Sequence, residues 1–134
     1  MGNIEFRIIK KIRCIHSIGT GDLTFKYIIS RINYARNHPD YDPSFDVFAD
    51  FESAVISFWD KNFEAYSSFT KMLHEFKSYR KLAIYTKNEL TFQTVNMSHI
   101  FLSDEIQVDV FQNRKTALAF LGIKDEDLAS NKRL

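Results

Sequence analysis

Two short runs without a polar face, Val47-Phe48-Ala49-Asp50-Phe51 and Leu82-Ala83-Ile84-Tyr85, constrain this chain most. A strand that is covered on both sides by helices reads this way, and such strands belong to parallel sheets. Segments of helical period lie around them. Leu23, Tyr27, Ile28, Ile32 and Ala35 form one stripe, with Lys26, Arg31 and Arg36 on the opposite side. Asp22 or Thr24 is placed to cap that helix, which should fail at Asn37-His38, before Pro39. Asp60 is placed to cap a second helix carrying Phe63, Tyr66, Phe69, Leu73 and Phe76. Thr86 and Glu89 have the spacing of a capping box, and a third helix runs from there to about Phe101.

The two ends of the chain alternate instead. Ile4, Phe6, Ile8, Ile12, Cys14 and Ile18 fall on even positions, a period of two that predicts strand. Strands usually run about five or six residues, so a hairpin turning near Lys10-Lys11 is expected. Ile106, Val108 and Val110 alternate with Gln107 and Asp109, which predicts a strand with one wet face at the edge of the sheet. Asn113 caps a last helix through Leu121, and Gly122 stands where a left-handed helix end favours glycine. The order β-β-α-β-α-β-α-β-α predicts an α/β fold: a mixed, mostly parallel sheet with helices on both faces. One domain is expected over residues 1–123, followed by a polar, frayed tail over 124–134.

The 134 residues suffice for one sizeable core. Eighteen basic and 17 acidic residues leave a net charge of +1, with no basic stripe, so a nucleic-acid partner is not expected. Cys14 is the only cysteine, which rules out an intrachain disulfide, and its apolar neighbours make it a small buried hydrophobe. No run approaches the roughly 20 apolar residues of a membrane helix, and a cytoplasmic location is expected.

Candidate chemistry is sparse. Gly19-Thr20-Gly21 follows a strand, but Thr24 stands where a dinucleotide fingerprint needs its third glycine. His16, His38, His74 and His99 share no ligand spacing, so neither a metal nor another cofactor is expected. His16 falls on the apolar register of its strand and reads as a buried, hydrogen-bonded histidine. Asp40, Asp42, Asp46, Asp50 and Glu52 cluster around one strand, with Asp50 toward its carboxyl end, where α/β sites lie. No partner for general acid–base work is identifiable, and no enzyme is expected.

A Gly-x-Leu-Thr entry to the first helix (Gly21, Leu23, Thr24), the stretch DPSFDVFADFESA, and the ending VDVFQNRKTALAFLGI lie in this order over residues 4–123. Together they resemble the STAS domain superfamily, and within it the small bacterial SpoIIAA-like (STAS/SEC14-like) proteins. The resemblance implies a regulatory module that binds a protein partner. Anti-sigma-factor antagonists of this type carry a phosphorylated serine in an Asp-Ser-Ser-Gly turn. The matching segment here is Asp60-Lys61-Asn62-Phe63, which keeps the aspartate and lacks both serines and the glycine. Asp60, Lys61 and Asn62, with the nearby hydroxyl of Ser57, are therefore the expected partner-binding residues. The SEC14-like side of the resemblance implies the alternative, a carrier or sensor of a small apolar ligand. Phe48, Phe51, Phe58, Trp59 and Phe63 would line its pocket. A third option is an enzyme with a site near Asp50 and Asp60. Thirteen Phe, six Tyr and one Trp are also compatible with a subunit interface, including one between two copies of the chain.

Overall fold

In the computed structural model, residues 2–57, 81–99 and 107–130 are described. Strand β1 (Asn3–Ile9) and strand β2 (Cys14–Thr24) pair antiparallel, joined by a 3-10 turn at Lys10–Ile12. Arg13 closes that turn in a left-handed conformation (φ 53°), its N–H bonded to the Lys10 carbonyl. Strands β3 (Asp46–Ser57), β4 (Leu82–Thr86) and β5 (Val108–Phe111) follow in parallel, giving a five-stranded sheet of order β1-β2-β3-β4-β5. The two fully apolar runs are interior strands and the alternating C-terminal run is an edge, as the contrast in patterning predicts.

Helices cover both faces. On one lie α1 (Phe25–Arg36) and α2 (Glu89–His99), packed over Ile15, Val47, Ala49, Phe51 and Ile84. On the other lie α3 (Arg114–Leu121) and α4 (Asp125–Ser130), whose Ala117, Leu118, Leu121 and Leu128 bury Phe48, Ala83 and Tyr85. β3 alternates between the two cores: Val47, Ala49 and Phe51 point to the first, Phe48 and Asp50 to the second. Asn113 caps α3 by accepting from the Thr116 N–H at 3.1 Å, and Gly122 ends it at φ 72°.

Several boundaries differ from the sequence-based expectation. β2 does not stop at the glycines but runs on to Thr24, with a register shift between Ile18 and Thr20. Gly19 sits in this irregularity because a Cβ there would lie 2.5 Å from the Phe51 ring. Thr24, and not Asp22, caps α1, through a 3.2 Å bond from the Tyr27 N–H. β3 likewise continues six residues past Phe51, to Ser57. The cap of α2 is Asn88, whose Oδ1 accepts from the Thr91 N–H at 2.9 Å; Thr86 instead accepts from the Asn88 N–H. The segment expected to be a frayed tail contains α4, held by buried Leu128 and by the Lys124 N–H bonded to the Asp127 carboxylate. The helix expected from Asp60 lies outside the described residues.

Candidate functional site

Three places in the fold have the geometry of a site. The first is a polar knot on the α3 side of the sheet. Strand pairing sets His16 of β2 beside Phe48 of β3, and Asp50 follows Phe48 on the same face. His16 Nε2 donates to Asp50 Oδ2 at 3.0 Å, and Arg114 at the start of α3 donates to the same oxygen at 2.8 Å. Since a carboxylate only accepts, Nε2 carries a proton. Nδ1 is buried and has no hydrogen-bond partner among the described residues. The His16 ring stacks on Phe48 at 5.2 Å, and the Arg114 guanidinium sits 5.4 Å from the Phe48 centroid. Arg114 also chelates Asp125 of α4 through Nε and a terminal nitrogen.

Burial pushes the Asp50 carboxyl up, but the hydrogen bonds from His16 and Arg114 outweigh it and hold it below the ordinary value. The bonds to Asp125 and Asp50 hold the Arg114 guanidinium protonated. An open depression of about 400 Å³ borders the knot, rimmed by Glu5, Arg7 and Asp125. Sequence reasoning singled out Asp50 and described His16 as buried and hydrogen-bonded. It missed Arg114, which lies 64 residues from Asp50 and carries no local signal.

The second place is apolar. Under α1, Ile4, Ile15, Ile28, Val47, Phe51 and Ile84 enclose a cavity of about 70 Å³. Phe51 lines it, whereas Phe48 belongs to the opposite core, so these two candidate pocket residues cannot share one cavity. Phe58, Trp59 and Phe63 lie outside the described residues, as do Asp60, Lys61 and Asn62. Ser57 ends β3. Cys14 is buried beside Asp46; burial first, then that carboxylate, pushes its thiol up to about 12. The neighbouring acids have structural partners: Asp40 pairs with Lys10 at 2.8 Å, and Asp42 accepts from the Ser44 N–H and hydroxyl. Glu52 receives bonds from Tyr85 and Lys87, and the Lys87 bond is the main cause holding its carboxyl below the ordinary range.

The third place is the edge of the sheet at β1. The Ile4 N–H donates to the Tyr27 hydroxyl at 3.0 Å, and the Ile4 carbonyl accepts from Arg31 Nε at 3.2 Å. Both groups therefore point away from β2. In an antiparallel pair, outward and inward residues alternate, so the peptide groups of Phe6 and Ile8 point the same way. Among the described residues nothing pairs with them. Beside them, between β1 and α1, runs a groove of about 470 Å³. Its walls include Phe6, Ile8, Arg31, Ala35 and Tyr34, the last 59% exposed. The Arg31 guanidinium lies 4.4 Å from the Tyr34 ring and 5.3 Å from that of Phe6. No expectation from sequence included this edge.

No protein-family model matches the chain, and no curated protein matches it. Among solved structures, it is similar to an uncharacterized protein of the DUF3478 family with a SpoIIAA-like fold, from Shewanella loihica PV-4. The two share 13% sequence identity over 90% of this chain and 93% of that one, with a TM-score of 0.56. The sheet order, the antiparallel first pair and this likeness agree: the chain adopts a SpoIIAA-like α/β fold.

Proposed function

We propose that this chain is a non-enzymatic protein-interaction module of regulatory type, and that a partner docks by adding an extended segment to the open edge of β1. The observation that carries this reading is the pair of outward peptide units at Phe6 and Ile8 beside a groove walled by α1. Edge groups unpaired among the described residues, next to a groove of mixed apolar and polar walls, are what strand addition uses: the main chain supplies affinity and alternate side chains supply specificity. The polar knot supports a binding role over catalysis, because Asp50 is already committed to His16 and Arg114. The cavity under α1, at about 70 Å³, falls short of the few hundred Å³ that a carried ligand requires.

A photo-crosslinking residue in place of Tyr34, combined with hydrogen exchange, tests this. In a crosslinked complex the Phe6 and Ile8 amides should exchange more slowly, with the label joined to an extended stretch of the partner. Phe6→Pro deletes one outward N–H without touching a bond to β2, and should abolish the crosslink while the protein stays folded. A crosslink of equal yield in the Phe6→Pro background would sink the reading.

A further inference from the structure

We infer that the groove takes the C-terminal end of an extended polypeptide, with its terminal carboxylate seated on Arg31. The inference rests on strand addition at β1, and it identifies what is added there. The open stretch has a stop. Beyond Phe6 the next outward peptide unit, Ile4, is already closed by the Tyr27 hydroxyl and by Arg31 Nε, whose side chains occupy the line a partner strand would follow. A segment running through would have to displace both bonds. A segment that ends there need not.

The stop is also the cationic end of the groove. Arg31 is held by three contacts: the bond to the Ile4 carbonyl, the Tyr34 ring and the Phe6 ring. Among the described residues, its two terminal nitrogens donate to nothing and no carboxylate pairs with it. A guanidinium fixed in this way presents a ready fork for a carboxylate, and less side-chain freedom is lost on binding. The nearby charges are otherwise engaged. Lys10 pairs with Asp40 at 2.8 Å, and Arg7 points to the other face beside Glu5, at 3.6 Å.

Direction follows from position. To end at Ile4, the added segment must run from Ile8 toward Ile4, antiparallel to β1. Its side chains then alternate. Those on the α1 side meet Phe6, Ile8, Ala35 and Tyr34, with His38 and Asp40 in the same groove, and should be mainly apolar, while those on the other side meet Glu5 and Arg7 and should be polar. The ligand class is therefore a free protein C-terminus of alternating apolar and polar residues.

Short peptides of that pattern, each made as the free acid and as the C-terminal amide, provide the probes, with binding read by fluorescence anisotropy. The free acid should bind at least about tenfold more tightly than its amide, the scale of one charge-assisted, two-pronged contact. Arg31→Gln should erase the difference between acid and amide, and Arg31→Lys, which keeps the charge and loses the fork, should retain part of it. Phe6→Pro should abolish binding of both forms, with thermal melts confirming that each variant is folded. Equal affinity for acid and amide, with binding still lost in Phe6→Pro, would overturn the carboxylate seat and leave the edge as the docking place. Binding indifferent to Phe6→Pro would overturn both. Failure of every free-acid peptide to bind, while the Tyr34 crosslink forms and is lost in Phe6→Pro, would overturn the C-terminus as the occupant and leave the edge intact.

Discussion

The two edges of the sheet solve the same problem differently. β5 is four residues long, and its outward Val110 N–H is satisfied by the Asp109 carboxylate at 2.9 Å, a bond from the residue next door. β1 is seven residues long, and among the described residues only Ile4 is closed, by side chains reaching over from α1. An edge is protected when it is short and its own side chains occupy its hydrogen-bonding groups. By that criterion, among the described residues, β5 is short and has one outward donor closed by its own side chain, whereas β1 is longer and is closed at Ile4. Protection is thus a local property, set residue by residue, and the docking proposed at β1 rests on the residues that leave it partly open.

The contrast should survive any change that weakens the sheet as a whole. Phe48→Ala removes a fully buried ring beneath α3 and should cost about 3–5 kcal/mol in chemical denaturation. Peptide affinity per folded molecule should be unchanged. A parallel fall in affinity would mean that the β1 edge depends on core rigidity, and the comparison would fail.

Asp50→Asn comes next, at about 1.5–3 kcal/mol near neutral pH, the scale of hydrogen bonds made to a charged group. Its pH dependence has a definite sign. The folded-state carboxyl lies below the ordinary 3.8, so its contribution is present above 3.8 and lost as the pH falls through the folded value. The variant should show a shallower acid limb than the wild type when stability is followed from neutral pH down into that range. Identical acid limbs would mean that the knot contributes nothing.

Asp109→Ala frees the outward Val110 N–H of β5. It should lower stability by about 1 kcal/mol, one hydrogen bond's worth, and raise self-association measured by light scattering. If association stays flat, shortness alone protects β5. The smallest effect is expected from Tyr27→Phe, which frees the Ile4 N–H for about 0.5–1.5 kcal/mol and lengthens the open stretch of β1 by one donor. Hydrogen exchange at the Ile4 amide should speed up while that of Val110 does not change.

Much of this architecture is legible in the residues. Phe48 and Phe51 face opposite cores, and the run Val47–Phe51, with apolar residues on both sides, announces a strand inside a covered sheet. Asn113 and Gly122 mark both ends of α3 because capping chemistry is local. What fails does so for physical reasons. Gly19, Gly21 and Asp22 read as a turn, yet they continue β2, because Gly19 is small to admit the Phe51 ring from the neighbouring strand. Leu128 looks like one apolar residue in a charged tail until its core neighbours are known. The Asp50–Arg114 pair and the Tyr27 and Arg31 caps join residues far apart in the chain, so no window of sequence contains them. Which edge stays open depends on strand order, a property of the assembled sheet.

Cys14 gives the molecule a built-in clock. Its thiol, pushed up to about 12 and buried against Phe48, is almost wholly protonated and out of reach of an alkylating reagent at neutral pH. It reacts when the start of β2 opens, so the rate of labelling under mild conditions measures how often that part of the sheet opens. A cysteine introduced at Tyr34 would label at once. The two reactions, separated in time within one tube, would allow a probe on the groove to be attached while the interior stays unmarked.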